Sequence, residues 1–312
     1  MSSPASTPSS AQAPAPTPAL PFGRLTTAMI TPFRPDGALD LDATQRVATY
    51  LVDGGNDALV LNGTTGEAPT TSDQEKVQII QAVREAVGDG VRIVAGVGTN
   101  DTAHTVECAR QAEAAGADGL LVVTPYYNKP PQDGLRAHFT AVADATGLPN
   151  MLYDIPARSG VEIKTETLIA LAEHPRIVAV KDAKGDLAGT TKVLANTDLF
   201  YYCGADELNL ASLAIGAVGI ASVVAHVASR EYRKLIDAVV AGDLAAAQDI
   251  DRRLVPAVET IMTMTQGAIM VKAALKLAGV IEHATLRSPL VEATPGQTDR
   301  LTTDLKQAGL IA

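Results

Sequence analysis

From Leu25 onward, short apolar runs alternate with longer stretches of helical period, and the alternation repeats eight times. The runs that predict strands are Thr26 to Ile30, Ala58 to Leu61, Arg92 to Val97, Gly119 to Val123, Met151 to Asp154, Ile177 to Val180, Phe200 to Cys203 and Gly219 to Val223. Each is short and bounded by Gly, Pro, Asn or Asp. Between them lie amphipathic stretches such as Asp73 to Val87, where Val77, Ile80, Val83 and Val87 recur at spacings of three and four. Ser72 followed three residues later by Glu75 predicts a capping box at its start. Further helices are predicted over Thr102 to Ala115 and Gln132 to Ala145.

Nearly continuous apolar strands must be covered on both faces, which calls for a parallel sheet wrapped by its own crossover helices. Eight such units predict an α/β fold, a (β/α)8 TIM barrel. An open doubly wound sheet would carry a glycine-rich turn after its first strand, and Thr31-Pro32-Phe33 stands there instead. Beyond Gly242 the pattern is helical only, through Leu244 to Met264, Ala268 to Leu277 and Pro295 to Ala308. The expected organisation is therefore a Pro/Ala/Ser-rich disordered tail over residues 1–22, a catalytic barrel over 23–242 and a C-terminal helical extension over 243–312 that helps assemble an oligomer.

Composition narrows the function. Of 312 residues, 46% are hydrophobic and 19% charged, enough apolar material for a sizeable core. A net charge of −10 would repel a phosphate backbone, so nucleic acid is not expected as a partner. No apolar run reaches the roughly 18 residues that span a bilayer, and no membrane association is expected. The first residues lack a charged start and a continuous apolar stretch, so they do not read as a signal peptide. Cys108 and Cys203 lie far apart and complete no metal-ligand spacing. They read as free buried thiols of a reducing, cytoplasmic compartment.

Barrel active sites form at the C-terminal ends of the strands, so reactive side chains there carry the chemistry. The sixth strand runs into Lys181, whose stem would lie in low dielectric and whose amine would therefore be easier to deprotonate, as Schiff-base chemistry requires. A lysine snorkelling to the barrel rim would look the same. The fifth strand carries Tyr153, a candidate proton donor and acceptor, and Arg158 follows on its loop as a candidate carboxylate clamp. Tyr126 and Tyr127 follow the fourth strand, where an aromatic pair is more often packing. Gly63-Thr64-Thr65-Gly66-Glu67 follows the second, where amides and hydroxyls suit a small carboxylate. A bare glycine turn would look similar.

Taken together, these strand ends resemble those of the dihydrodipicolinate synthases, within the N-acetylneuraminate lyase group of pyruvate-dependent class I aldolases. The resemblance covers about Gly23 to the C-terminus and rests on Gly63 to Glu67, Thr124 to Asn128, Tyr153 to Arg158 and Lys181. It implies condensation of pyruvate with L-aspartate 4-semialdehyde in diaminopimelate and lysine biosynthesis, with no metal or organic cofactor, in a homotetramer built as a dimer of dimers. Position by position, Lys181 is similar to the Schiff-base lysine and Tyr153 to the proton-shuttling phenol. Thr64 and Tyr127 resemble the other members of a hydroxyl relay, with Tyr127 reaching into a neighbouring subunit's site. Thr65 is similar to the residue holding the pyruvate carboxylate and Arg158 to the arginine receiving the second substrate. Gly204 and Ala221 match backbone groups lining the pyruvate pocket.

Asp154 and Asp182 stand where asparagine and glutamate are common in this family, and strand alternation turns both away from the reactive face. The resemblance also places a lysine feedback pocket at Ala68, Pro69, Asp73, Lys76, Asn100, His104 and Tyr126. Here Lys76 replaces the histidine, and His104 the glutamate, of lysine-sensitive relatives, so insensitivity is expected. A sister lyase acting on a sugar acid would need small or hydroxyl side chains where Arg158 intrudes. A metabolite-sensing barrel would have no use for an amine of lowered pKa.

Overall fold

The computed structural model describes residues 19–311. Eight strands close into a parallel barrel in chain order: β1 Leu25–Ala28, β2 Ala58–Leu61, β3 Arg92–Gly96, β4 Gly119–Val123, β5 Asn150–Asp154, β6 Ile177–Asp182, β7 Phe200–Cys203 and β8 Gly219–Ser222. The last strand pairs with the first through Thr26 and Ala221. Around them run α1 Leu41–Asp53, α2 Asp73–Val87, α3 Thr102–Ala114, α4 Gln132–Asp144, α5 Pro156–Ser159, α6 Thr165–Leu171, α7 Leu187–Leu194, α8 Asn209–Ala214 and α9 Ala225–Val240. Three more helices follow, α10 Leu244–Thr263, α11 Gly267–Leu277 and α12 Pro295–Gln307. The expected barrel with a C-terminal helical extension is the fold observed.

Alternation along each strand sorts the core into two shells. Ala58, Val60, Val94, Leu121, Met151, Tyr153, Ala179, Tyr202 and Ala221 form the inner one. Leu59, Ile93, Leu120, Leu152, Val180 and Ile220 point outward into the larger shell shared with the helices. The capping box at Ser72 and Glu75 is present, and α2 buries Ile79, Ile80, Ala82 and Val83. β6 continues two residues past its apolar run, because its backbone keeps pairing with Tyr153 and Asp154 on one side and with Tyr202 and Cys203 on the other. Strand length follows the ladder, not side-chain polarity.

Most of the expected tail, residues 1–18, lies outside the described residues. Phe22, expected to belong to that tail, is instead fully buried. Its ring lies 6.2 Å from that of Tyr202, and the Tyr202 hydroxyl donates to the Gly23 carbonyl at 3.0 Å. Burying such an aromatic contributes about 1.5–3 kcal/mol, and here it closes the N-terminal end of the barrel interior. The opposite end, where the loops after the strands converge, stays open for a site.

Candidate active site

The turn after β2 is held in an unusual shape. Asn62 and Glu67, at its two ends, both adopt left-handed backbone, with φ of 56° and 55°. Non-glycine residues keep such a conformation only where their surroundings fix it. Those surroundings are visible. The Thr31 hydroxyl donates to the Gly66 carbonyl at 2.7 Å, and the Glu67 amide donates to the Thr64 carbonyl at 3.1 Å. Gly96 of β3 passes directly beneath: a Cβ on it would stand 2.4 Å from the Asn62 carbonyl oxygen. Thr65 is buried within the turn.

Thr64 faces a cavity of about 360 Å³ whose walls also include Tyr126, Tyr127, Tyr153, Ile155 and Arg158. Register brings Tyr153 of β5 directly beside Lys181 of β6. Lys181 is only 3% exposed, and its Nζ lies 4.5 Å from the centre of the Tyr153 ring. Gly204, just past β7, makes room for it: a Cβ there would meet the Lys181 Cγ at 2.8 Å and Cε at 2.9 Å. Ala221 is fully buried in the inner shell, and neither it nor Thr65, Lys181 or Gly204 is a wall of the cavity, which Lys181 adjoins through Tyr153. Tyr127 is 88% exposed at the rim, with φ of 73°, its amide donating to the Ser159 carbonyl at 3.3 Å. The structure thus gathers Thr64, Tyr127, Tyr153 and Arg158 around one space, sets Lys181 against Tyr153, and places Gly204 against Lys181.

Burial drives the electrostatics. Desolvation lowers the Lys181 amine to about 8, with the Arg158 guanidinium acting the same way and the Asp206 carboxylate opposing it. Asp206 is itself buried and holds the start of the segment after β8, accepting from the Val223 and Val224 amides at 2.8 and 3.1 Å. The same desolvation raises the Tyr153 phenol to about 12, against the pull of Arg158 and the Thr64 hydroxyl. Arg158, on the short helix α5, pairs with no carboxylate among the described residues, which leaves its guanidinium open to an incoming acid. Asp154 and Asp182 point outward as alternation requires. Asp154 meets the Lys184 ammonium at 3.3 Å, and Asp182 accepts from the Thr190 hydroxyl at 2.9 Å. Burial of Asp154 outweighs Lys184 and lifts its carboxyl to about 6.

The family model described as the dihydrodipicolinate synthetase family matches residues 21–308. The chain belongs to that family. It is 61% identical over 293 residues to the 4-hydroxy-tetrahydrodipicolinate synthase of Kineococcus radiotolerans, covering 94% of this chain and 95% of that one. A dihydrodipicolinate synthase from Bacillus anthracis superposes with a TM-score of 0.89 at 38% identity, covering 91% of this chain and 98% of the other. The synthase of Cyanidioschyzon merolae, solved with lysine bound, gives a TM-score of 0.90 at 38% identity over 93% and 99% of the two chains. Membership makes the chain a class I, aldolase-type lyase.

Beside these strand-end residues, the structure shows a group that periodicity alone passed over. Lys272, in the middle of α11, is completely buried and pairs with Glu67, the last residue of the β2 turn. Arg287 joins them by donating its backbone amide to the other Glu67 oxygen at 2.9 Å. The signal was present in the sequence: Lys272 interrupts the otherwise apolar run from Ala268 to Leu275. In a helical pattern a lysine ordinarily reads as a solvated face. The long-range partner that makes burial tolerable cannot be seen from its neighbours.

Proposed function

We propose that the chain condenses pyruvate with L-aspartate 4-semialdehyde as a 4-hydroxy-tetrahydrodipicolinate synthase, using Lys181 as the nucleophile. The observation that carries this reading is a desolvated lysine at a barrel strand end, packed on a buried tyrosine that faces a substrate-sized cavity. The neutral amine attacks the ketone carbon of pyruvate, and loss of water from the carbinolamine leaves an imine on Lys181. Tyr153 accepts a proton from the pyruvyl methyl group as it passes its own to the Thr64 hydroxyl, and the resulting enamine attacks the aldehyde. The amino group of the semialdehyde then adds to the imine carbon and displaces the Lys181 amine, which closes the ring of the product and restores the free lysine. Thr64 and Tyr127 relay protons between Tyr153 and solvent; Tyr127 stands at the rim of its own chain's cavity, and its 88% exposure leaves it free to reach the site of a neighbouring subunit, where we place its role. Arg158 receives the carboxylate of the semialdehyde in the open cavity, while Thr65 holds the pyruvate carboxylate and backbone at Gly204 and Ala221 lines the pyruvate pocket on the Lys181 side, behind the cavity wall. These steps call on no metal or organic cofactor.

No helix among the described residues is long and apolar enough to cross a membrane. We place the reaction in the cytoplasm and the chain in a homotetramer, a dimer of dimers, whose size sedimentation would measure. A sugar-acid lyase would carry a long polyol past the mouth that the Arg158 guanidinium occupies, so the semialdehyde is the better fit.

Borohydride reduction in the presence of pyruvate tests the mechanism. The expected result is one pyruvyl adduct, located on Lys181 by mass spectrometry and lost in Lys181→Ala. Lys272 is a built-in control, because burial lowers its amine to about 8 as well while the Glu67 carboxylate holds it closed to substrate. An adduct on Lys272, or trapping that survives Lys181→Ala, would overturn the assignment.

A further inference from the structure

The buried group joining the β2 turn to the C-terminal helices has a place in the condensation of pyruvate, and that place rests on the function proposed above for Lys181 and Thr65. Lys272 is 0% exposed and Glu67 is 2% exposed, so both charges have left water, and each keeps its charge only through the contacts it makes. Those contacts are complete. The Lys272 ammonium donates to Glu67 and to the Thr285 carbonyl, the latter at 2.7 Å, and lies 4.4 Å from the centre of the Phe33 ring. The second Glu67 oxygen accepts the Arg287 amide, while the Arg287 guanidinium lies 4.3 Å from the centre of the same Phe33 ring and forks onto Glu75 at 2.8 and 2.6 Å. It also donates to the Thr70 carbonyl at 2.7 Å, just beyond the turn. A charged pair this deep is costly to build, and a hydrophobic pair of similar volume would serve stability as well. Its position is what distinguishes it. Glu67 is the left-handed residue that ends the turn carrying Thr64 and Thr65.

We propose that Glu67, clamped by Lys272 and the Arg287 amide, is a positioning residue that fixes the turn so that Thr64 and Thr65 meet the pyruvate carboxylate and the Tyr153 phenol. The C-terminal helices thereby belong to the pyruvate site although none of their side chains lines it. Arg158, which serves the second substrate, stands on α5 after β5, outside this clamp. The two substrates therefore respond differently when the clamp is broken.

The experiment compares the pyruvate concentration that half-saturates borohydride trapping with the KM for L-aspartate 4-semialdehyde at saturating pyruvate. Three proteins suffice: the full-length wild type, Glu67→Gln, and the double variant Glu67→Gln/Lys272→Met. The double variant strands no buried charge and is the one expected to fold, as circular dichroism would verify. In both variants the half-saturating pyruvate concentration should rise by about tenfold or more, since small misplacements of positioning groups cost that much, while the semialdehyde KM stays within about threefold. A purely structural role would lower the amplitude of trapping and leave its concentration dependence unchanged. Wild-type half-saturation in a folded double variant would overturn the inference. Absence of trapping in the wild type would instead sink the reaction on which it rests.

Discussion

Lys181 and Tyr153 are pushed in opposite directions by the same burial, and each push suits a different step. Desolvation penalises the charged form, so the ammonium gives up its proton more easily and the phenol holds its own more tightly. Imine formation needs the free amine. With Lys181 titrating near 8, the rate of pyruvate trapping should climb with pH through that region and level off above it. A rate already flat between pH 6 and 7 would mean that Asp206 and Arg158 set the amine differently from the balance described. Tyr153 stays protonated throughout this range, so in the proposed reaction it acts by passing its proton along and not by standing ionised. Tyr153→Phe should therefore cost about 10²–10⁴-fold in turnover, and Tyr127→Phe clearly less, because it interrupts only the far end of the relay. Steady-state rates of the two variants test the order, and the reverse order would exchange their roles. Arg158→Ala removes a different contact. Loss of a charge-assisted carboxylate contact, worth about 1.5–3 kcal/mol, should weaken use of the semialdehyde by one to two powers of ten and leave trapping largely intact.

Strands and turns explain why much of the candidate site was legible in the sequence. Parallel strands end together at one rim, so Thr64, Tyr127, Tyr153, Arg158 and Lys181 could be placed at that rim from the apolar runs alone, while the roles expected of them came from the family resemblance. Side-chain alternation likewise separated Tyr153 and Lys181 from Asp154 and Asp182. What the runs could not convey is close approach between elements. Gly204 matches a backbone group of the pocket by family resemblance, and its missing side chain also leaves the space that the Lys181 stem occupies. Gly204→Ala should accordingly leave β7 paired with β6, displace the lysine, and reduce trapping more severely than it reduces thermal stability. A variant that traps pyruvate at the wild-type rate would show that the stem can yield. The two ends of the chain were harder to read for a related reason. Phe22 looks unremarkable beside its neighbours and Lys272 stands out only as a break in an apolar run, and the burial of each is decided by Tyr202 and Glu67, distant in sequence.

At the scale of the whole molecule, the expected feedback pocket can be judged by what its residues already bind. Asp73 is the one acid there that an incoming lysine ammonium would need, and both its oxygens are taken. Lys76 meets one at 3.2 Å and His104 the other at 2.8 Å. The hydrogen bond from His104, joined by Lys76, holds the Asp73 carboxyl below its usual range. A lysine ligand would have to displace these donors and bring its own cation beside Lys76. Two like charges about 4 Å apart repel by about 1 kcal/mol in bulk water and about 4 kcal/mol at an effective dielectric of about 20. The pocket is partly open, with the side chains of Lys76, Asp73 and His104 exposed by 17%, 37% and 43%, so the penalty lies between those limits. Every 1.4 kcal/mol is a factor of ten, and the lost acidic partner adds to the repulsion. Enzyme activity should therefore stay unchanged across millimolar L-lysine. Replacing His104 with glutamate, which restores an acid beside Asp73 and gives Lys76 a second partner, should bring inhibition into that range. Partial inhibition of the wild type at those concentrations would show that Asp73 releases its present partners more readily than its hydrogen bonds imply.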